Sequence, residues 1–172
     1  LRADKAEEAA REVSATTGTR VIAAAVDVSD ESSVAAAADR AVAELGGLDV
    51  WVNNAGLYPN VPLLDVAIDD WNEVMNVNTT AVMQTCQVIG GAMARRGKGS
   101  IISTLSIYGI TGCDQRIYQG SLYEGRPINT PAVYAASKAA LLGLTRYLAT
   151  YWGHRGVRVN AVTPGGVFSG QN

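Results

Sequence analysis

Tyr134 and Lys138 close the run Tyr134-Ala135-Ala136-Ser137-Lys138, four positions apart. On a helix that spacing puts a phenol and an ammonium on one face. A free tyrosine titrates near ~10, too high for a proton acceptor at neutral pH. A nearby cation stabilises the phenolate, and acid–base catalysis improves as a group's pKa nears the working pH. The pair is suited to moving a proton to or from an alcohol oxygen. Tyrosine and lysine also meet at this spacing on ordinary helix surfaces, so the pair needs supporting residues. Ser106 offers a hydroxyl that can donate to a carbonyl oxygen. Asn78, in Asn76-Val77-Asn78, interrupts a run of good helix formers, and taken alone it reads as an exposed polar position.

The elements that must position these residues alternate along the chain. Ala3 to Ala15 has helical spacing of its apolar positions, and Arg20 to Val28 is a β-branched and alanine run typical of a buried strand. Ser29 or Asp30 then caps a helix from Glu31 to Leu45, closed by Gly46-Gly47. Leu48 to Val52 reads as a strand that empties into the turn Asn53-Asn54-Ala55-Gly56. A long helix is expected from Asp69 or Asp70 to about Arg95, ahead of Gly97, and a strand from Ser100 to Leu105. Gly109 to Thr130 is irregular, Pro131 opens a helix running to Gly153, and Gly156 to Val162 is a last strand ending at Thr163-Pro164-Gly165. Alternating strands and helices, with strands apolar on both faces, predict an α/β doubly wound parallel sheet. Ligands of such sheets sit beyond the strands' carboxyl ends, where Asp27, Asn53, Ser106 and Pro164-Gly165 all fall.

Composition narrows the classes of partner. The 172 residues suffice for one domain, and 48% hydrophobic with 17% charged residues is ordinary for a globular chain rather than a disordered tail. A net charge of −2 without a basic block argues against nucleic acid or an anionic membrane as partner. Cys86 and Cys113 have neither zinc-site spacing nor the number for a disulfide framework. No apolar run reaches the ~18 residues of a membrane helix, so a cytoplasmic location is expected.

Taken in order, Asp27-Val28, Asn53-Asn54-Ala55-Gly56, Asn78 after Trp71, Ser106-Ile107-Tyr108-Gly109, Tyr134 with Lys138, Arg158-Val159-Asn160 and Pro164-Gly165 resemble the motifs of the short-chain dehydrogenase/reductase family. The resemblance is nearly colinear across the chain. It implies a Rossmann-type sheet and an NAD- or NADP-dependent oxidoreductase acting on a small-molecule alcohol/carbonyl pair. Tyr134 would be the acid/base, Ser106 would orient and polarise the substrate oxygen, and Asn78 would hold a water in the proton relay. Lys138 would bind the nicotinamide ribose and favour the Tyr134 phenolate. Asp27 and Val28 would contact adenine, Asn53, Asn54, Ala55 and Gly56 would pass under the adenosine ribose, and Val167 would meet the carboxamide. The helices around Asp70–Arg95 and Pro131–Gly153 would pack against a twin subunit as a homodimer or homotetramer.

Two departures from the family pattern carry expectations of their own. The sequence holds no Gly-rich phosphate turn after a strand, and Leu1 aligns just past the family's second strand. The first two strands and the C-terminal elements are therefore expected to be missing, and the segment alone is expected neither to fold cooperatively nor to turn over a cofactor. Arg2, just beyond the position that separates NAD from NADP, could meet a 2′-phosphate. The second departure is the 28-position gap between Ser106 and Tyr134, roughly twice the family's usual one. The extra stretch from Thr111 to Thr130 holds Asp114, Arg116, Tyr118, Tyr123, Glu124 and Arg126, either a substrate-recognition loop or a passive flap. Its hydrogen-bonding side chains suit a sugar or polyol. Two other readings stand beside the oxidoreductase: a sugar-nucleotide epimerase or dehydratase, which shares the Tyr/Lys pair, and a non-catalytic nucleotide-binding relative.

Overall fold

The structure, a computed structural model, describes residues 3–123 and 125–167. Arg2, Glu124 and Phe168 lie outside the described residues. Five α-helices are formed among these: α1 Ala3–Thr17, α2 Glu31–Leu45, α3 Ile68–Met75, α4 Ala81–Arg96 and α5 Ala132–Gly153. The strands are β1 Val50–Asn53, β2 Gly99–Thr104, β3 Leu122–Tyr123, β4 Arg126–Pro127 and β5 Val157–Val162. Of the two capping candidates before α2, Asp30 is the cap: its carboxylate accepts from the N–H groups of Ser32 and Ser33.

β1, β2 and β5 form a parallel sheet in that spatial order. Its register aligns Trp51, Ile101 and Val159 in one row and Val50, Ser100 and Arg158 in the next. Successive side chains on a strand point to opposite faces. The face carrying Ile101 and Val159 is buried under Ile89 and Met93 of α4 and Leu141 and Trp152 of α5, and Val34 of α2 joins the same core. The opposite face leaves Val50, Val52, Arg158 and Asn160 exposed. The chain is thus a parallel α/β structure in partial form, with its packed helix layer on one side. No helix among the described residues is long and apolar enough to cross a membrane.

Two elements differ from expectation. The strand expected over Arg20 to Val28 does not form. Strand backbone groups need a neighbouring ladder, and among the described residues β1, the nearest strand in sequence, pairs only with β2. The segment is tied down instead by side chains: the Asp27 N–H donates to Ser33 Oγ (2.9 Å), and Arg40 donates to the Ala23 carbonyl (2.8 Å). The long helix expected from Asp69 or Asp70 to Arg95 is interrupted at Asn76–Thr80 by a π-helical turn, with the Ala81 N–H reaching back to the Asn76 carbonyl. Such turns widen the helix locally and recur at functional sites. This one contains Asn78.

Candidate active site

β2 ends at Thr104, and Ser106 follows in extended conformation, capping a short 3₁₀ turn at Ile107–Gly109. Its Oγ accepts the Tyr108 N–H (3.3 Å), which leaves the hydroxyl proton free to donate elsewhere. The chain after β5 is latched to the same spot, since the Leu105 N–H donates to the Val162 carbonyl (2.8 Å) and the Ile107 N–H to the Pro164 carbonyl (3.1 Å). The tips of two adjacent parallel strands therefore present Ser106 and the Gly165–Val167 segment together.

α5 brings the phenol and the amine. Tyr134 lies in its first turn, and its ring meets the Tyr58 ring edge-on at 4.8 Å between centroids. Lys138, one turn on, is buried with Nζ 5.5 Å from the centre of the Tyr134 ring. That nitrogen donates to the Thr104 carbonyl (2.7 Å), leaving two of its three protons for other acceptors. Burial holds its pKa below the ordinary lysine value, because the charged form is the one desolvated.

Asn78 is fully buried, not on the surface. Its Oδ1 accepts the Leu57 N–H (2.7 Å), and its Nδ2 donates to the Leu57 carbonyl (3.0 Å) and to Ser137 Oγ (3.1 Å). Ser137 Oγ in turn donates to the Tyr134 carbonyl (2.8 Å). The amide thus splices the loop after β1 to the first turn of α5, and the π turn supplies the room to aim it. Gly56 passes close by, where a Cβ would stand 3.2 Å from Asn78 Oδ1 and 3.7 Å from Lys138 Nζ.

Ser106, Tyr134 and Val167 line one cavity of about 770 Å³. Val28, Asn53, Asn54 and Ala55 line a second, small cleft of about 50 Å³ at the end of β1. Asn53 sits there with its side chain turned into the structure: it donates to Ser103 Oγ (3.3 Å) and accepts from Trp51 Nε1 (2.8 Å). Asp27 lines neither space. Its carboxylate accepts the N–H and hydroxyl of Ser29 (2.9 and 2.6 Å), bonds that hold its pKa below the usual range. Cys86 is packed in the core, where burial pushes its thiol up to about 11, and His154 is exposed just past α5.

Sequence reasoning missed Tyr58 and the part Tyr108 plays in the cavity wall. The signal for Tyr58 was its place two residues after Gly56, in a loop leaving a strand's carboxyl end. The extra stretch is no detached flap. Tyr118, Ser121 and Tyr123 line the same cavity as Ser106 and Val167. Asn60 and Asn129 stitch this wall to the loop after β1: the Asn129 N–H donates to Asn60 Oδ1 (2.9 Å) and Asn60 Nδ2 to the Pro127 carbonyl (3.0 Å). Gln115 and Thr130 close the stretch on itself with a reciprocal pair of bonds (2.8 and 3.1 Å).

The family model described as short chain dehydrogenase matches residues 1–171. Among curated relatives, a D-threitol dehydrogenase of Mycolicibacterium smegmatis is 34% identical over 140 residues, 81% of this chain and 48% of that protein. A 2-dehydro-3-deoxy-D-gluconate 5-dehydrogenase of Dickeya dadantii is 34% identical over 148 residues, 86% of this chain and 53% of that protein. Among solved structures, a gluconate 5-dehydrogenase of Burkholderia cenocepacia in complex with NADP and tartrate superimposes with a TM-score of 0.80 at 32% identity, covering 98% of this chain and 60% of that one. An NAD⁺-bound xylitol dehydrogenase gives a TM-score of 0.83 at 27% identity, over 99% of this chain and 60% of that one. The chain spans about half the length of the curated relatives it matches.

Proposed function

The chain belongs to the short-chain dehydrogenase family, and from that premise we propose that the whole protein interconverts a secondary alcohol and its carbonyl with NAD or NADP. One observation carries the reading: Tyr134 and Ser106 line the same cavity, and a buried ammonium lies behind the phenol ring.

In the direction of oxidation, Tyr134 takes the alcohol proton while Ser106 donates a hydrogen bond to the same oxygen and fixes its position. In reduction Tyr134 returns a proton to the carbonyl oxygen as Ser106 polarises it. The Lys138 charge stabilises the phenolate that forms when the proton leaves. When bound, the nicotinamide supplies the hydride chemistry that the side chains lack. The residues present fit its ribose half. Lys138 keeps two N–H donors for vicinal hydroxyls, and Gly56 keeps the floor beside it free of a side chain. Val28, Asn53, Asn54 and Ala55, which line the small cleft, would hold the adenosine end, and Val167, which lines the larger cavity, would meet the carboxamide. Asp27 lies at the adenine end in this reading, just before Val28. Both Nδ2 protons of Asn78 are used by Leu57 and Ser137, and the relay water of this reading would rest on the lone pair that Oδ1 keeps beside its bond from Leu57. Such proteins as the threitol and xylitol dehydrogenases support a sugar or polyol substrate. Pairing as a homodimer or homotetramer through α4 and α5 accords with Tyr147 and Tyr151, which stack on an exposed face of α5. Two free cysteines accord with a cytoplasmic location.

Incubating the whole protein with xylitol and each oxidised nicotinamide should produce reduced cofactor. The pH profile of kcat carries the lysine's signature. Because burial lowers the Lys138 pKa, its ammonium is lost as pH rises through a value below the ~10.4 of a free lysine, and the alkaline limb should fall earlier than an exposed lysine would allow. Absence of cofactor reduction with any alcohol would remove the reading.

A further inference from the structure

The cavity wall facing Ser106 and Tyr134 is built from hydroxyls and aliphatic side chains. Tyr108 and Tyr118 hydrogen-bond through their hydroxyls, and Thr130 Oγ1 lies 3.5 Å from both the Tyr118 and the Tyr58 hydroxyls. The Tyr58 hydroxyl donates to the Asn129 carbonyl (2.9 Å), so its proton is spent. If Thr130 donates to Tyr118 and Tyr118 to Tyr108, the Tyr108 proton is shared between the neighbouring Cys113 thiol and a ligand in the cavity, and unused lone pairs remain along the chain. The row starts at a ring in contact with Tyr134 and ends on residues lining the cavity. Ile107, Ile117, Ile128 and Val167 supply the apolar surface between these polar points.

Charge is what this lining lacks. No Asp, Glu, Lys, Arg or His is among the described residues lining the cavity. Among the described charged side chains of the extra stretch, Asp114 and Arg116 pair with each other (2.6 Å), and Arg126 is exposed. Lys138 does not line the cavity, and in the proposed reading its two remaining protons go to the nicotinamide ribose. A carboxylate or phosphate drawn into a half-enclosed space needs a cationic partner, whereas a neutral hydroxyl needs only donors and acceptors.

We infer that the substrate is an uncharged polyol, and that Tyr118 and Tyr108 determine specificity by holding a second hydroxyl of that substrate while Tyr134 and Ser106 address the first. This rests on the oxidoreductase reading and assigns its substrate class. The extra stretch is then the device that delivers Tyr118 to the cavity, and its stitching through Asn60 and Asn129 keeps that hydroxyl in place before substrate arrives.

The whole protein, wild type and with Tyr118→Phe or Tyr108→Phe, should be assayed on xylitol, D-gluconate and cyclohexanol with NAD and with NADP. For the wild type, kcat/KM should be highest on xylitol, at least about tenfold above both gluconate, which adds a carboxylate, and cyclohexanol, which lacks a second hydroxyl. Either variant should lose about tenfold more kcat/KM on xylitol than on cyclohexanol, with the loss carried by KM rather than kcat. Preference for gluconate, or equal losses on xylitol and cyclohexanol in both variants, would overturn the inference while leaving the oxidoreductase reading intact. No turnover of any probe would overturn both.

Discussion

Replacing Tyr134 with phenylalanine in the whole protein is expected to lower kcat by about 10²–10⁴-fold while cofactor binding is retained. The substitution removes one oxygen and keeps the ring. The edge-on contact with Tyr58 and the neighbourhood of Lys138 both involve that ring, so packing at the head of α5 is preserved. What disappears is the group that exchanges a proton with the substrate oxygen. Steady-state rates, with a fluorescence titration of the reduced cofactor alongside, separate the two effects. A variant that keeps a rate within about tenfold of wild type would mean that the proton goes to another group, outside the ~10²-fold minimum expected of a general acid.

Gly109→Ala is expected to impair both stability and turnover, although Gly109 touches no substrate. The 3₁₀ turn that follows Ser106 lies directly against α5, and a Cβ at Gly109 would stand 2.7 Å from the Lys138 carbonyl carbon and 2.9 Å from its oxygen. Those atoms belong to a helix backbone and cannot swing aside as a side-chain tip can. Either the turn or the helix must shift, and one carries Ser106 while the other carries Tyr134 and Lys138. Overpacking of this kind costs about 1–3 kcal/mol. Misplacing reacting groups by about 1 Å costs about 10²-fold in rate. Gly112→Ala, in the same loop with nothing within 4 Å of its would-be Cβ, is the matched comparison. Thermal melts and kcat/KM of both variants decide the matter; equal behaviour would mean that the turn and α5 are not tightly held together.

Much of this site was legible in residue order because its parts sit at fixed points of the chain's alternation. Ser106 follows a strand, Tyr134 and Lys138 share a helix face, and Val167 follows the last strand, so the parallel sheet alone brings these tips to one rim. Residues whose roles depend on contacts between distant segments were less visible. Asn78 reads as a misplaced polar residue in a helix until the π turn points it at Leu57 and Ser137. Tyr58 joins the site through contacts between distant segments, its own with Tyr134 and Asn129 and the Asn60–Asn129 bond that draws two loops together across nearly seventy positions. The failed strand at Arg20 to Val28 has the opposite cause. Its side-chain pattern suits a strand, but strand formation is a property of pairs, and among the described residues no neighbouring strand offers it a ladder.

The most direct test is the structure of the whole protein with an oxidised nicotinamide and a bound polyol. The hydroxyl oxygen about to be oxidised should lie within ~2.6–3.2 Å of both Tyr134 Oη and Ser106 Oγ, the reach that proton transfer requires. A polyol whose reacting oxygen contacts neither hydroxyl, or a cavity in which the two hydroxyls are too far apart to reach one atom, would contradict the assignment of Tyr134 and Ser106 as the groups that act on the substrate.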